Sequence, residues 1–294
     1  MGRNLLAHLK AEGFPALGTQ CTAEKSGLVT FDLFKDRIQD CVDREFFASN
    51  EPTVGVISAG ISQVDRCLRE RETTHVVNVE NTIRLIQDFR DLGIKPLFIS
   101  SHAVFDGETG YDDEERPKRP ISEYGRQKLE VERYIEDQAP HTLVFRLDKV
   151  VGDNPEDAHM FSEWHKWILD NRTVTCIQGQ LFAPTHVQDI ARSIVLGCQQ
   201  GLTGFYNLAG PEFFSREELA RQFAVMLGRE ASIVSKPMEE FGFLDPRPLK
   251  SYLDSTKLVK ATGIRFTSMR EVMKSFIENT LAAQVSAAPA ATDR

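Results

Sequence analysis

Long apolar runs are missing from this sequence. None approaches the roughly 18 residues that a transmembrane helix needs, and the N-terminus lacks the apolar region of a signal peptide. We therefore expect no contact with a membrane and no export, which favours a cytoplasmic protein.

Cysteine is also scarce. The five cysteines are odd in number and scattered, with neither a C-x-x-C pair nor a zinc-site spacing. Reduced thiols are the expected state. His159, His165 and His186 likewise have no metal-ligand spacing, so we expect no metal site.

No segment concentrates charge of one sign. The net charge is −8, from 35 basic and 43 acidic residues, and it is spread along the chain. This pattern argues against a general nucleic-acid surface and offers no polybasic membrane anchor. At 294 residues with 41% hydrophobic residues, the chain is long enough for one large domain, or for a domain with a smaller lobe.

The most informative stretch begins with an apolar run at 96–99 that ends in Ser100 and Ser101. Its length and composition predict a buried strand with two hydroxyls at its end. Ser122 then begins a helical pattern. In that helix Tyr124 and Lys128 are four residues apart, which places them on one face, one turn from each other.

A tyrosine beside a lysine has a chemical use. The pKa of a free phenol is about 10, and a neighbouring cation lowers it, so Tyr124 is a candidate acid/base. A serine hydroxyl at the strand end could hydrogen-bond the same substrate oxygen. The alternative is that Tyr124 and Lys128 only share a helix surface, because Tyr-x-x-x-Lys recurs by chance.

The remaining chain alternates helical and strand patterns. A helix is predicted over 1–13, strands over 14–21 and 28–33 with a loop at 22–26, and a helix over 36–47. A strand over 54–60 ends in small residues, a long helix begins near Val76, and another strand covers 141–147. This alternation is typical of an α/β fold.

Two motifs carry a family resemblance. The run S-S-H-A-V-F-D-G at 100–107, followed by P-I-S-E-Y-G-R-Q-K at 120–128, resembles the extended short-chain dehydrogenase/reductases. It is most similar to the dTDP-4-dehydrorhamnose reductase branch, which includes the regulatory beta subunit of methionine adenosyltransferase. Two departures stand out: His102-Ala103 replaces the usual Asp-Tyr, and Gln127 replaces a small hydroxyl residue.

The resemblance implies a Rossmann-like doubly wound parallel sheet, with its first strand missing, and a small C-terminal α/β substrate lobe. Residues 1–152 would form the NAD(P)-binding domain, with 182–210 returning to it. Residues 153–181 and 211–282 would form the substrate lobe, and 283–294 a disordered tail.

The start of the chain departs from the family pattern. Members open with a strand and a G-x-x-G-x-x-G turn, of which only the third glycine, Gly2, is present. Either Met1 is an internal start, or the chain is a degenerate, non-catalytic relative. The sequence leaves both alternatives open.

The resemblance also implies the site residues. The catalytic set would be Ser101, Tyr124 and Lys128. The cofactor, NADP or NAD, would contact Tyr124 and Lys128 together with Gly2, Arg3, Ser58, Ala59, Gly60 and Asn78. The substrate would contact His102, Val104, Phe105 and Arg247.

Two of these assignments have simpler alternatives. Asn78 could be a helix cap, and Arg247, whose planar guanidinium suits a phosphate, could form a surface salt bridge. The implied function is reduction of a nucleotide-linked 4-keto-6-deoxy sugar. The alternative is a non-catalytic nucleotide-binding or regulatory subunit. The nucleotide sugar is the expected partner, and a homodimer is possible.

Overall fold

The structure is a computed structural model that describes residues 1–21, 27–43, 46 and 53–287, with side chains up to residue 283. The loop predicted at 22–26 lies outside the described residues. Of the helix predicted over 36–47, the structure describes Ile38–Cys41.

The described strands are β1 Gly18–Gln20, β2 Leu28–Thr30, β3 Val54–Ile57, β4 Lys95–Ser101, β5 Leu143–Leu147, β6 Val150–Val151, β7 Val174–Ile177, β8 Leu181–Phe182, β9 Thr185–His186, β10 Gly204–Leu208, β11 Phe214–Ser215 and β12 Ile233–Lys236.

The described α-helices are α1 Gly2–Ala11, α2 Ile38–Cys41, α3 Val64–Arg69, α4 Arg71–His75, α5 Asn81–Asp91, α6 Glu123–Gln138, α7 Met160–Leu169, α8 Val187–Gln199, α9 Arg216–Met226, α10 Thr256–Thr262 and α11 Met269–Ala287. Every helix in the described ranges is too short or too polar to cross a membrane.

The central sheet has the order β10-β5-β4-β3, and all of its strands are parallel. Strand β5 is buried along its whole length and β4 is buried after its first residue, as expected for strands covered on both faces. The register places Ser101 beside Leu147. This sheet confirms the predicted α/β, Rossmann-like fold.

Helices cover both faces of the sheet. One face packs against α5 and α6, and its core includes Phe98 and Val144. The other packs against α1, α8 and α10, and its core includes Leu97 and Phe145. Alternate residues of each strand thus belong to opposite cores, which is the doubly wound arrangement.

Strands β1 and β2 pair in parallel but form a separate two-stranded sheet. Within the described ranges no strand precedes α1 and none joins β1 to β3. Strand β3 is therefore an edge of the four-stranded sheet among the described residues.

The helical region before β4 differs from the prediction. It begins at Val64, not near Val76, and passes through α3, α4 and a π-helical segment, Val76–Glu80, before α5. Asn78 lies in that segment and is buried. Such π-helical turns are mostly short local segments within helices and are frequent at functional sites.

A second core lies in the C-terminal part. Its centre contains Phe161, Trp164, Phe223 and Phe276, and the Phe161 and Phe223 rings stack at 5.1 Å. Strands β7 and β12 pair in parallel beside it. The predicted lobe boundaries stay a prediction, although Leu258 of α10 packs with the central sheet instead. The last helix extends to Ala287, into the predicted tail.

Candidate active site

A cavity of about 410 Å³ opens where the carboxyl ends of β3, β4 and β5 meet the segment 247–251. Ligands of open parallel sheets bind at this edge. The predicted site residues that line the cavity are Ser58, Ala59, Gly60, Ser101, His102, Tyr124, Lys128 and Arg247.

Helix α6 brings Tyr124 to Ser101. Ser122 caps the helix, since its hydroxyl accepts a hydrogen bond of 3.2 Å from the Gly125 amide. A Cβ on Gly125 would stand 2.1 Å from the Ala103 carbonyl oxygen. Only glycine therefore allows α6 to approach the turn after β4 this closely.

Burial is the main influence on the Tyr124 pKa. Burial raises it to about 12, while the neighbouring Ser101 hydroxyl opposes the rise. The sequence interpretation gave Lys128 the task of lowering this pKa, but burial dominates instead. The phenol therefore holds its proton at neutral pH, which is the form that a proton donor needs.

Lys128 is buried and lines the same cavity as Tyr124. Its ammonium donates to the Ile99 carbonyl oxygen at 2.9 Å and lies 4.5 Å from the Phe98 ring centroid. Burial lowers its pKa to about 8, against the opposing charge of Glu132. Two of its three N–H groups have no acceptor in the part of the chain that the structure describes, so they can hold a ligand.

The two serines at the end of β4 have different roles because they point to opposite faces. Ser100 donates to Glu132 at 2.6 Å, and Glu132 forms a fully buried pair with Arg146. Ser101 instead accepts a bond from the Ala103 amide at 3.2 Å. Both serines line the cavity.

Small residues form the wall of the cavity that follows β3. Ser58, Ala59 and Gly60 follow β3, and Gly60 has φ +151°. A Cβ on Gly2 would stand 3.4 Å from the Ser58 hydroxyl, so the first turn of α1 approaches this wall closely. A wall without bulky side chains fits a flat cofactor ring that must contact the backbone.

Arg3 and Asn4 lie outside the cavity lining. The Arg3 guanidinium is exposed and bonds Asp157 at 3.1 Å, and the Asn4 amide bonds the same carboxylate at 2.9 Å. A cofactor contact by Arg3 stays a prediction. Met1, which sequence reasoning did not name, does line the cavity.

Asn78 holds the small-residue wall in place. Its side chain bonds both the amide and the carbonyl of Ile61, at 2.7 and 2.9 Å, and donates to Gln127 at 2.8 Å. Gln127 in turn donates to Thr74 at 3.0 Å. The unusual Gln127 thus completes a buried polar network, and a direct cofactor contact by Asn78 stays a prediction.

His102 lines the cavity beside a carboxyl group that sequence reasoning missed. Its Nδ1 lies 3.3 Å from Asp148 and 3.4 Å from the Leu147 carbonyl. Burial lowers the His102 pKa to about 3 and raises the Asp148 pKa to about 7. Asp148 directly follows β5, and this position at a strand end is the sequence signal that could have identified it.

The other predicted substrate contacts differ in position. Val104 and Phe105 are buried in a small core with Leu129 and do not line the cavity, so their substrate contacts stay predictions. Arg247 does line it, stacks on Phe243 at 4.6 Å and pairs with Asp65 at 2.9 Å.

With this geometry described, comparison with known proteins decides the family. The family model described as "RmlD substrate binding domain" matches residues 1–282. The chain belongs to the RmlD substrate-binding domain family.

Several relatives and structures support this placement. A probable low-salt glycan biosynthesis reductase, Agl14, from Haloferax volcanii is 26% identical, over 90% of this chain and 89% of that one. A dTDP-4-dehydrorhamnose reductase from Sinorhizobium fredii is 26% identical, over 77% and 80%. Methionine adenosyltransferase 2 subunit beta from Xenopus laevis is 22% identical, over 88% and 79%.

Solved structures agree on the fold. A hypothetical dTDP-4-dehydrorhamnose reductase from Sulfolobus tokodaii has a TM-score of 0.80 at 23% identity, covering 92% of this chain and 94% of that chain. A dTDP-4-dehydrorhamnose reductase from Bacillus anthracis, in complex with NADP, has a TM-score of 0.78 at 20% identity, covering 94% and 96%. The RmlD family assignment thus rests on sequence and fold together.

Proposed function

We propose that this RmlD-family protein is an NAD(P)-dependent reductase of a nucleotide-linked 4-keto-6-deoxy sugar. One observation carries the proposal: Ser101, Tyr124 and Lys128 line the same cavity as the small residues at 58–60. A ketone bound in this cavity would meet a hydroxyl, a phenol and an ammonium.

Each polar group has a role in this proposal. Tyr124 gives its proton to the oxygen of the reduced carbonyl, and its raised pKa keeps that proton available until then. The Ser101 hydroxyl donates to the same oxygen and orients it. Lys128, held by the Ile99 carbonyl, uses its remaining N–H groups on the cofactor ribose.

Ser58, Ala59 and Gly60 would hold the cofactor, which is NADP or NAD, together with Lys128. When bound in its reduced form, the nicotinamide supplies a hydride to the ketone. The protein itself would orient the cofactor. Asn78 supports this role because its two hydrogen bonds hold Ile61, the residue that follows the wall at 58–60.

The nucleotide sugar would occupy the rest of the cavity. His102 faces it as a neutral ring, because its pKa is lowered to about 3. Arg247 is proposed to exchange part of its contact with Asp65 for a phosphate of the substrate.

Turnover by a Tyr124→Phe variant tests this function. With NADPH or NADH and a dTDP-4-keto-6-deoxy sugar, we expect a loss of kcat of about 10²- to 10⁴-fold, with cofactor affinity retained. Tyr134→Phe is the matched control, because Tyr134 lies on the same helix and its hydroxyl contacts Gln87 away from the cavity. Equal activity of wild type and Tyr124→Phe would refute the proposed role.

A second candidate is a non-catalytic nucleotide-binding or regulatory subunit. The similarity to methionine adenosyltransferase 2 subunit beta and the replacement at His102-Ala103 favour it. It predicts nucleotide binding by the wild type with no turnover of any keto sugar tested. Turnover that depends on Tyr124 would exclude it.

A further inference from the structure

Lys149 is a cation on the cavity wall without a close partner. It follows β5 and lines the cavity, yet it makes no side-chain hydrogen bond and no ion pair within 4 Å in the described ranges. Burial lowers its pKa, the neighbouring Asp148 opposes this shift, and the positive charges of Arg216 and Arg247 add to it. The lysine is therefore a buried ammonium whose N–H groups have no acceptor in the described ranges.

The neighbouring Asp148 carboxyl group forms no ion pair with Lys149 within 4 Å in the described ranges. The oxygens of Asp148 accept hydrogen bonds from the Ala183 amide at 2.7 Å and from the Ser251 hydroxyl at 2.8 Å. The His102 ring also lies 3.3 Å from one of them. Asp148 is thus hydrogen-bonded to other groups, although its charge still acts on Lys149.

Gln180 is a second polar side chain that lines the cavity without a hydrogen-bond partner. It lines the same cavity, is only 6% exposed, and its Oε1 has no hydrogen-bond partner. Its side-chain amide likewise makes no hydrogen bond within the described ranges. Buried polar groups are normally satisfied, so an unpaired amide at a cavity wall indicates a bound polar group.

The backbone places Lys149 near Ser101, and Gln180 lines the same cavity. Ser101 is in register with Leu147, two residues before Lys149. The Lys149 carbonyl accepts a 2.8 Å bond from the Thr185 amide, which fixes the segment. A substrate whose ketone meets Ser101 would therefore bring its adjoining atoms to Lys149.

We propose that Lys149 and Gln180 form a subsite for an oxyanion of the substrate. The Lys149 ammonium and the Gln180 side-chain N–H are donors that suit phosphate or carboxylate oxygens, whereas the unpaired Gln180 Oε1 is an acceptor and would take a hydrogen bond from a hydroxyl of the same ligand. The oxyanion has two possible sources, the diphosphate of the nucleotide or a carboxylate on the sugar ring. The inference rests on the proposed function only for calling the ligand a substrate, because binding can be measured without any cofactor.

The test is calorimetric titration of the full chain with thymidine diphosphate, dTDP-glucose and dTDP-glucuronate. We expect Lys149→Met to weaken binding by about 10- to 100-fold, as for loss of a charged hydrogen bond, and Gln180→Leu to weaken it less. Lys149→Arg should retain binding. Lys166→Met, on the exposed side of α7, is the matched control and should bind as the wild type does.

The three ligands separate the two sources. An equal loss for all three assigns the subsite to the diphosphate, and a loss confined to dTDP-glucuronate assigns it to a sugar carboxylate. Affinities unchanged by both Lys149→Met and Gln180→Leu, or a wild type that binds none of the three, would overturn the inference. Should Lys149→Met not fold, Gln180→Leu carries the test. Failure of the reductase proposal would appear separately, as turnover insensitive to Tyr124→Phe.

Discussion

Lys128 keeps a positive charge in a buried position, which lowers its pKa from 10.5 to about 8. Between these two values the unfolded chain binds more protons than the folded one. The free energy of unfolding contributed by this group therefore rises with pH across that window. At neutral pH the buried charge opposes folding.

A Lys128→Met variant exposes this effect. The difference in unfolding free energy, wild type minus variant, should increase from pH 8 to pH 10.5, by up to about 3 kcal/mol. Urea unfolding at a series of pH values measures it, with Lys166→Met as the control for a solvent-exposed lysine. A difference that stays constant with pH would contradict the assigned burial.

The pair between Arg146 and Glu132 is the other charged feature of the core. Both side chains are fully buried and joined by bonds of 2.8 and 3.0 Å. Arg146→Met leaves the carboxylate unpaired, so we expect a loss of about 3–5 kcal/mol of stability. Lys274→Met breaks an exposed pair with Glu278 and should cost less than about 1 kcal/mol. Similar losses in denaturant unfolding of the two variants would show that Arg146 is not buried with Glu132.

At the scale of elements, α6 and the turn after β4 must touch for the site to form. Gly125→Ala places a methyl group against the Ala103 carbonyl and pushes Tyr124 away from Ser101. We expect about 1–3 kcal/mol of lost stability and a larger proportional fall in kcat than in cofactor affinity. Arg133→Ala, on the exposed side of the same helix, should change neither, and full activity of Gly125→Ala would refute the close packing.

Elements with a strong local signal were predictable from the sequence. The apolar run before Ser100 and Ser101 predicted β4, and Ser122 marked the start of α6, where it does cap the helix. Together they placed Ser101, Tyr124 and Lys128 at one site. The apolar pattern and the helix-capping residue were sufficient to predict these two elements, because both signals depend only on residues that are close in the sequence.

Features that depend on distant contacts were not predictable. The helices over 64–75 were not predicted, because short helices without capping residues leave little hydrophobic periodicity in the sequence. The raised Tyr124 pKa depends on burial by segments far along the chain. Gln127 was noted only as a departure, since its partners Asn78 and Thr74 lie about 50 residues away.

At the scale of the whole molecule, the cavity lies between the central sheet and the C-terminal part. Asp65 on α3 accepts bonds from the Leu244 and Asp245 amides and from Arg247. The Asp157 carboxylate accepts hydrogen bonds from the Arg3 and Asn4 side chains of α1. These contacts hold the two parts around one cavity, where the proposed function places cofactor and substrate together.

The most direct test of this account is calorimetric titration of the 294-residue chain with NADPH and with NADH. We predict saturable binding of at least one of them at one site per chain. Binding should be lost in Ala59→Trp, which places a bulky ring in the cavity that Tyr124 also lines, and weakened in Lys128→Met. Lys166→Met should bind as the wild type does. Absence of binding by both cofactors, or binding that Ala59→Trp leaves unchanged, would contradict the assignment of this cavity as a nicotinamide site.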